Sequence, residues 1–232
     1  MTYGTICAIT ILEITPIIAI GEKAAIKKRV RREGDWTMNH EKSSMEKICE
    51  LTNDTLEKWE NPWGYAPDIA SRQLEKIDYS RIKDMTNELR YLHDRLLEPD
   101  EAITSGGIIA TYTILGALVE GWMVFLLSVF AADYKDDKFV SATGNCKNLD
   151  ELNFEQLITY FDTTVWRYGG EEKNKIIEWM RKIKSYRNSI HIYKPRDIGN
   201  FTELYRDIDM YFEVLRYIIR TFPDDPISAR YY

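Results

Sequence analysis

The sequence has few of the residues that cross-link a chain or break up its helices. It is 232 residues long and contains 3 cysteines, 7 prolines and 12 glycines. The cysteines (Cys7, Cys49 and Cys146) are far apart and form no CxxC pair, which argues against a disulfide framework and a structural zinc site. So few prolines and glycines argue against a loop-rich all-β fold. Because unpaired thiols persist in a reducing compartment, we expect a cytoplasmic protein.

An excess of positive charge is also lacking, since the formal net charge is −6. A protein this acidic is not expected to coat duplex DNA without sequence preference. The charge is unevenly distributed, however, because residues 171–196 carry +5 while residues 41–170 carry −10. The basic segment is either a phosphate-binding surface or a solvated helix face. Its basic residues are Lys173, Lys175, Arg181, Lys182, Lys184, Arg187, Lys194 and Arg196.

Two apolar runs raise the question of a membrane segment. Residues 106–132 are long enough to span a bilayer and contain one charged residue, Glu120. Acidic residues flank this run on both sides and no Lys/Arg excess orients it, which favours a helix buried by its neighbours. The run 5–20 is shorter and is interrupted by Glu13 and Pro16, so a buried strand, an irregular arm and a helix all remain open for it.

From residue 41 onward the apolar residues recur at helical spacing. Asn153 with Gln156, and Asn200 with Glu203, have the spacing of capping boxes that begin helices. We therefore predict an all-α bundle of about five to six helices over residues 41–232, preceded by an N-terminal arm of uncertain structure over residues 1–40. The predicted helical segments are 41–60, 68–97, 101–134, 153 to before 169, 171–192 and 200–222, with a loop over 135–152.

A group of polar residues follows the apolar stripe of segment 171–192. The stripe Ile176, Met180, Ile183 advances by four and three, and its next position is Arg187. His191 comes four residues later, on the same helix face if the helix continues. Asn188 and Tyr193 flank this pair.

These residue types suit the cleavage of a phosphodiester by its own 2′-hydroxyl. A histidine titrates near neutral pH and moves protons, while an arginine binds phosphate oxygens. Asn188 could orient a hydroxyl or the imidazole. No metal ion or other cofactor is required, and no cluster of Asp, Glu and His offers a metal site. The alternative is structural: Arg187 pairs with a carboxylate such as Glu120, and His191 caps the helix end.

The stretch 183–222, together with the apolar helix that contains Glu120, resembles the HEPN-domain superfamily. In that superfamily an Arg-Asn pair is followed within a few residues by His, and His191-Ile-Tyr193 matches a His-X-Tyr motif found in some of its toxins. The resemblance implies a dimeric helical bundle and a metal-independent RNase, of the kind found in toxin–antitoxin and phage-defence systems. It assigns catalytic roles to Arg187, Asn188, His191 and Glu120, and in the toxins with the His-X-Tyr motif the tyrosine is a modification target. Lys184, Lys194 and Arg196 of the basic segment, with Tyr193 beside them, are the residues expected to contact RNA phosphates.

One departure from the family pattern keeps a second function open. Three residues separate Arg187 from His191, whereas the family spacing is four to six. The alternative is a non-catalytic module that binds a nucleotide, an RNA or a protein. A membrane protein spanning at 106–132 is the less favoured third hypothesis. The expected partners are a second copy of the chain, an RNA substrate, and an antitoxin or another component of a defence system.

Overall fold

The computed structural model describes residues 42–63, 66–97, 104–134, 139–140, 146–147, 149–191 and 197–223. The chain divides into two units, residues 1–41 and 42–232, and every described residue belongs to the second. The predicted N-terminal arm over residues 1–40 therefore lies outside the described residues.

The described residues form eight α-helices, which confirms the predicted all-α class. Five of them are 16 to 25 residues long and build the bundle. The eight are α1 (Ser44–Trp59), α2 (Asp68–Leu74), α3 (Tyr79–Leu97), α4 (Ser105–Val129), α5 (Ala131–Tyr134), α6 (Phe154–Tyr160), α7 (Gly170–Arg187) and α8 (Phe201–Ile219). Shorter elements are 3-10 turns at Leu149–Glu151 and Asn188–Ile190, a π-helical turn at Phe161–Val165, and a two-residue pairing of β1 (Phe139–Val140) with β2 (Cys146–Lys147).

Helix α4 lies at the centre of the bundle and packs against α2, α3, α7 and α8. It is the one helix among the described residues that is long and apolar enough to cross a membrane. Other parts of the protein bury 67% of its most apolar 18-residue window. This is the burial expected of a core helix, and it agrees with the buried-helix interpretation of the run 106–132.

Helix α8 closes the bundle with the apolar stripe that the sequence predicts. Its buried residues include Leu204, Ile208, Tyr211, Leu215 and Ile218. Phe222 follows the helix, and its ring lies 5.1 Å from that of Phe125 on α4 and 5.9 Å from that of Trp59 on α1. Rings at these separations pack edge-to-face and bury large apolar areas, so the end of α8 is held against α1 and α4.

The segment 68–97 is not one helix, as its spacing predicted, but two. The chain turns after Leu74, and α3 begins at Tyr79. The Asp78 carboxylate accepts hydrogen bonds from the Ser80 hydroxyl and the Arg81 backbone N–H, both of which hold its pKa below the usual range. An aspartate in this position caps a new helix, because it satisfies an N–H group that has no partner within the helix.

Two further boundaries differ from the predicted ones. The apolar segment 101–134 is interrupted by a turn at Phe130, whose N–H donates to the carbonyl of Leu126, and residues 101–103 lie outside the described part of the chain. The segment predicted as a loop, 135–152, contains the pairing of Phe139 with Lys147 and of Val140 with Cys146.

Both predicted capping boxes are present. The Asn200 side chain accepts from the Glu203 N–H at 3.0 Å, and the Glu203 carboxylate accepts from the Asn200 N–H at 3.1 Å. Asn153 and Gln156 make the same two bonds at the start of α6. The residue before Asn200, Gly199, has a φ of 66°, which favours glycine.

Replacing Asn200 with alanine is expected to lower the free energy of unfolding by about 1 kcal/mol, because it removes the cap of α8. Thr202→Ala, two residues further into the same helix, is the matched control and should change stability by less than about 0.5 kcal/mol. Urea unfolding measures both. Equal effects of the two substitutions would contradict the importance of the cap.

Candidate functional site

The candidate site lies where α7 ends. The stripe Ile176, Met180, Ile183 is buried as predicted, and Arg187, the last residue of α7, is half-buried. The α-helix does not continue to His191, as a shared helix face would require. Residues Asn188–Ile190 form a 3-10 turn instead, and His191 is exposed with extended backbone.

The tighter turn changes which side chains face the interior. Ile190, the next position of the predicted stripe, is 55% exposed, whereas Ser189 is 9% exposed. The Ser189 hydroxyl donates to the backbone carbonyls of Ser185 and Asp197 at 3.4 and 3.5 Å. A 3-10 segment advances by 120° per residue rather than 100°, so the α-helical pattern no longer places side chains correctly beyond Arg187.

Three residues on two helices, α4 and α6, hold the Arg187 side chain. Its Nη1 donates to Oε2 of Glu120 on α4, which forms an ion pair. Its guanidinium carbon lies 5.8 Å from the ring centroid of Phe154, the first residue of α6. Its aliphatic stem lies against Gly116, one helical turn before Glu120. The Arg187 and Glu120 side chains are 31% and 23% exposed, so the ion pair is partly accessible to solvent.

The other predicted site residues are distributed around this ion pair. Asn188 begins the 3-10 turn and is half-buried, and its carbonyl accepts from the His191 N–H at 3.5 Å. Among the described residues, no side-chain hydrogen bond or ion pair links His191 to Arg187, Asn188 or Glu120. The Lys184 ammonium pairs with the Glu155 carboxylate. Tyr193, Lys194 and Arg196 lie outside the described residues.

Carboxylates from other elements neutralise most of the basic segment. Five of the six basic side chains described between residues 171 and 191 form an ion pair, and the sixth, Lys175, is exposed. The sequence count of +5 therefore overstates the field that α7 presents to solvent. The pairs are Lys173–Asp162 at 2.7 Å, Arg181–Asp162 at 3.2 Å, Lys182–Asp207 at 2.8 Å, Lys184–Glu155 and Arg187–Glu120.

A second polar cluster, which was not predicted from the sequence, lies inside the bundle around Asp207. Asp207 on α8 is 4% exposed. Its carboxylate accepts from the Tyr112 hydroxyl at 2.7 Å, from the Trp179 indole N–H at 3.0 Å and from the Lys182 ammonium at 2.9 Å. Burial, and the hydrogen bond to Asp207, raise the pKa of Tyr112 well above its usual value. The sequence contains a signal for this cluster. Asp207 lies three residues after Leu204 and four before Tyr211, which places a carboxylate on the apolar face of α8.

The two clusters offer different chemistry. The Arg187–Glu120 pair is partly exposed and has hydrogen-bond donors left for an anion. The Asp207 carboxylate is buried and already accepts from three donors. No group of three or more His, Cys, Asp or Glu residues that could hold a metal ion occurs in the part of the chain that the structure describes.

Comparison of the chain with protein-family models, with curated proteins and with solved structures finds no match in any of the three.

Proposed function

We propose that this protein is a metal-independent endoribonuclease of the HEPN type that acts on single-stranded RNA. One observation carries the proposal: a partly exposed arginine, paired with an acidic residue on a buried apolar helix, lies next to Asn188 and an exposed histidine at one helix end. We further propose a cytoplasmic homodimer that works with an antitoxin or a defence-system component, as the family resemblance implies.

The proposed reaction needs no external nucleophile. The 2′-oxygen of a ribose attacks the adjacent phosphorus, and its proton passes to His191 acting as general base. The bond between phosphorus and the 5′-oxygen breaks, and a protonated acid or water supplies the proton to that leaving oxygen. The products are a 2′,3′-cyclic phosphate and a 5′-hydroxyl, so no electrons are exchanged with a third reactant.

Arg187 would stabilise the negative charge that develops on the phosphate during this attack. A guanidinium carries five N–H donors, and Glu120 accepts from one of them. The remaining donors can bind phosphate oxygens from the solvent-exposed side of the side chain. Glu120 and Phe154 hold the guanidinium in place, so little reorganisation is needed when the phosphate arrives.

A non-catalytic module that binds RNA, a nucleotide or a protein is the second candidate. The observation that favours it is the neutralisation of α7, because Lys184 and Arg187 already pair with Glu155 and Glu120. In this function Arg187 links α4 to α7, and His191 is a surface residue. The two candidates differ in turnover, since the module retains RNA without cutting it.

The purified protein is expected to cleave single-stranded RNA in the presence of EDTA and to leave 2′,3′-cyclic phosphate ends. Gel analysis of labelled RNA measures cleavage, and mass spectrometry of the products identifies the ends. RNA binding without cleavage would support the non-catalytic module instead. Cleavage that EDTA abolishes would overturn the proposed mechanism, because none of its steps uses a metal ion.

A further inference from the structure

A glycine on α4, Gly116, lies against the Arg187 side chain of α7. A Cβ atom added at Gly116 would lie 2.8 Å from Cδ, 2.9 Å from Cβ and 3.2 Å from Cγ of Arg187. Carbon atoms at optimal van der Waals contact are about 3.5–4.0 Å apart. The Arg187 stem therefore occupies the space that a side chain at position 116 would need.

A change of rotamer cannot relieve the contact with Cβ of Arg187. A different rotamer would move Cγ and Cδ away from Gly116, but Cβ is fixed to the backbone of α7. Any side chain at position 116 must therefore separate α7 from α4 or rotate its last turn. Either movement carries the Arg187 guanidinium away from Glu120, which lies one turn further along the same face of α4.

We infer that Gly116, Glu120 and Phe154 form a three-sided seat for Arg187, and that Gly116 is a positioning residue of the proposed site. Gly116 lets the stem lie directly on α4, Glu120 binds the guanidinium, and Phe154 covers it. The catalytic side of this inference rests on the proposed function, whereas the seat itself is a structural statement that can be tested without RNA.

The chain provides a matched control on the same helix. Nothing lies within 4 Å of a Cβ atom added at Gly121, five residues after Gly116. Alanine has a higher helix propensity than glycine, so Gly121→Ala should leave Tm unchanged or raise it. Gly116→Ala carries the same propensity gain but forces a clash, and it should lower Tm by about 5 °C or more.

A thermodynamic cycle tests the seat directly. In the Arg187→Gly background no side chain remains to clash with position 116. Gly116→Ala should therefore change Tm there as little as Gly121→Ala does. In the Arg187→Ala background the clash with Cβ remains, so part of the loss should persist. Equal losses of Tm from Gly116→Ala in the wild-type and Arg187→Gly backgrounds would overturn the seat.

The catalytic role requires a measurement that a loss of stability alone would not change. In folded Gly116→Ala protein we expect the single-turnover rate of RNA cleavage to fall by about 100-fold, because a displacement of about 1 Å can cost that much. The RNA dissociation constant should change by less than about threefold. A wild-type cleavage rate would overturn the positioning role of Gly116.

Two controls separate a loss of folding from a loss of positioning, and a failure of the proposed function from a failure of the seat. If Gly116→Ala does not fold, Glu120→Gln takes its place, since it keeps the side-chain volume and removes the charge that holds Arg187. We then expect at least about a 10-fold lower cleavage rate with unchanged RNA binding, and an unchanged rate would overturn the seat's role. If the wild-type protein cleaves no RNA, the proposed function fails while the Tm cycle still decides whether the seat exists.

Discussion

Replacing Asp207 with alanine is expected to lower the free energy of unfolding by about 2–4 kcal/mol. The substitution leaves the Tyr112 hydroxyl and the Trp179 N–H without their acceptor inside the bundle. A buried donor without a partner costs about 1–3 kcal/mol. The Lys182 side chain is 35% exposed and stays hydrated. The loss of its ion pair with Asp207 therefore lowers the free energy of unfolding by less than the loss of a fully buried pair would.

A neighbouring aspartate supplies the control for this experiment. Asp209 lies two residues further along α8, is exposed, and accepts from the Ser44 hydroxyl at 2.6 Å. Asp209→Ala should cost less than about 1 kcal/mol, since exposed polar contacts contribute little. Urea unfolding of both variants gives the comparison. A cost below about 1 kcal/mol for Asp207→Ala would show that water satisfies the orphaned donors and that the cluster does not hold α4, α7 and α8 together.

Local signals in the sequence predicted much of the fold. The capping boxes at Asn153 and Asn200 act within four residues, so their spacing alone identified the starts of α6 and α8. The apolar stripe of α8 was also predicted correctly, because a regular helix repeats its burial pattern every three or four residues. The length and apolar character of α4 indicated its central position in the bundle.

The features that were not predicted have two origins. The break between α2 and α3 is local, because Asp78 bonds to Ser80 and Arg81, two and three residues later, but the apolar spacing of 68–97 led to the prediction of a single helix. The end of α7 at Arg187 is marked by neither a glycine nor a proline. The charge of the basic segment was overestimated because its partners, among them Glu120 and Asp207, come from other helices.

The Arg187–Glu120 pair is compatible with both functional hypotheses. The sequence alone suggested the pair as a structural contact, and the family resemblance suggested it as part of an active site. An ion pair at a partly exposed helix end can stabilise the bundle and also orient a guanidinium toward a phosphate. His191 separates the two hypotheses, because it is exposed and forms no side-chain hydrogen bond or ion pair among the described residues, so its loss should affect catalysis and not stability.

Replacing His191 with alanine is expected to lower the single-turnover rate of RNA cleavage by about 10²–10⁴-fold, because the proposed general base is removed. The imidazole is exposed and forms no side-chain hydrogen bond, ion pair or ring contact among the described residues, so Tm should stay within about 2 °C of the wild-type value. Arg187→Ala should lower the rate by about 10²–10³-fold, since the developing charge on the phosphate loses its stabilising partner.

Lys175→Ala is the matched control for these two variants. Lys175 is an exposed basic residue on the same helix, distant in sequence from the site, so the rate should change by less than about threefold. A gel assay of labelled single-stranded RNA in EDTA measures all three rates at saturating protein. If His191→Ala cleaves RNA as fast as Lys175→Ala does, His191 is not the base. If the wild-type protein binds RNA but neither it nor any variant cleaves it, the protein is the non-catalytic binding module. The short Arg–His spacing would then be a feature of a site that transfers no proton.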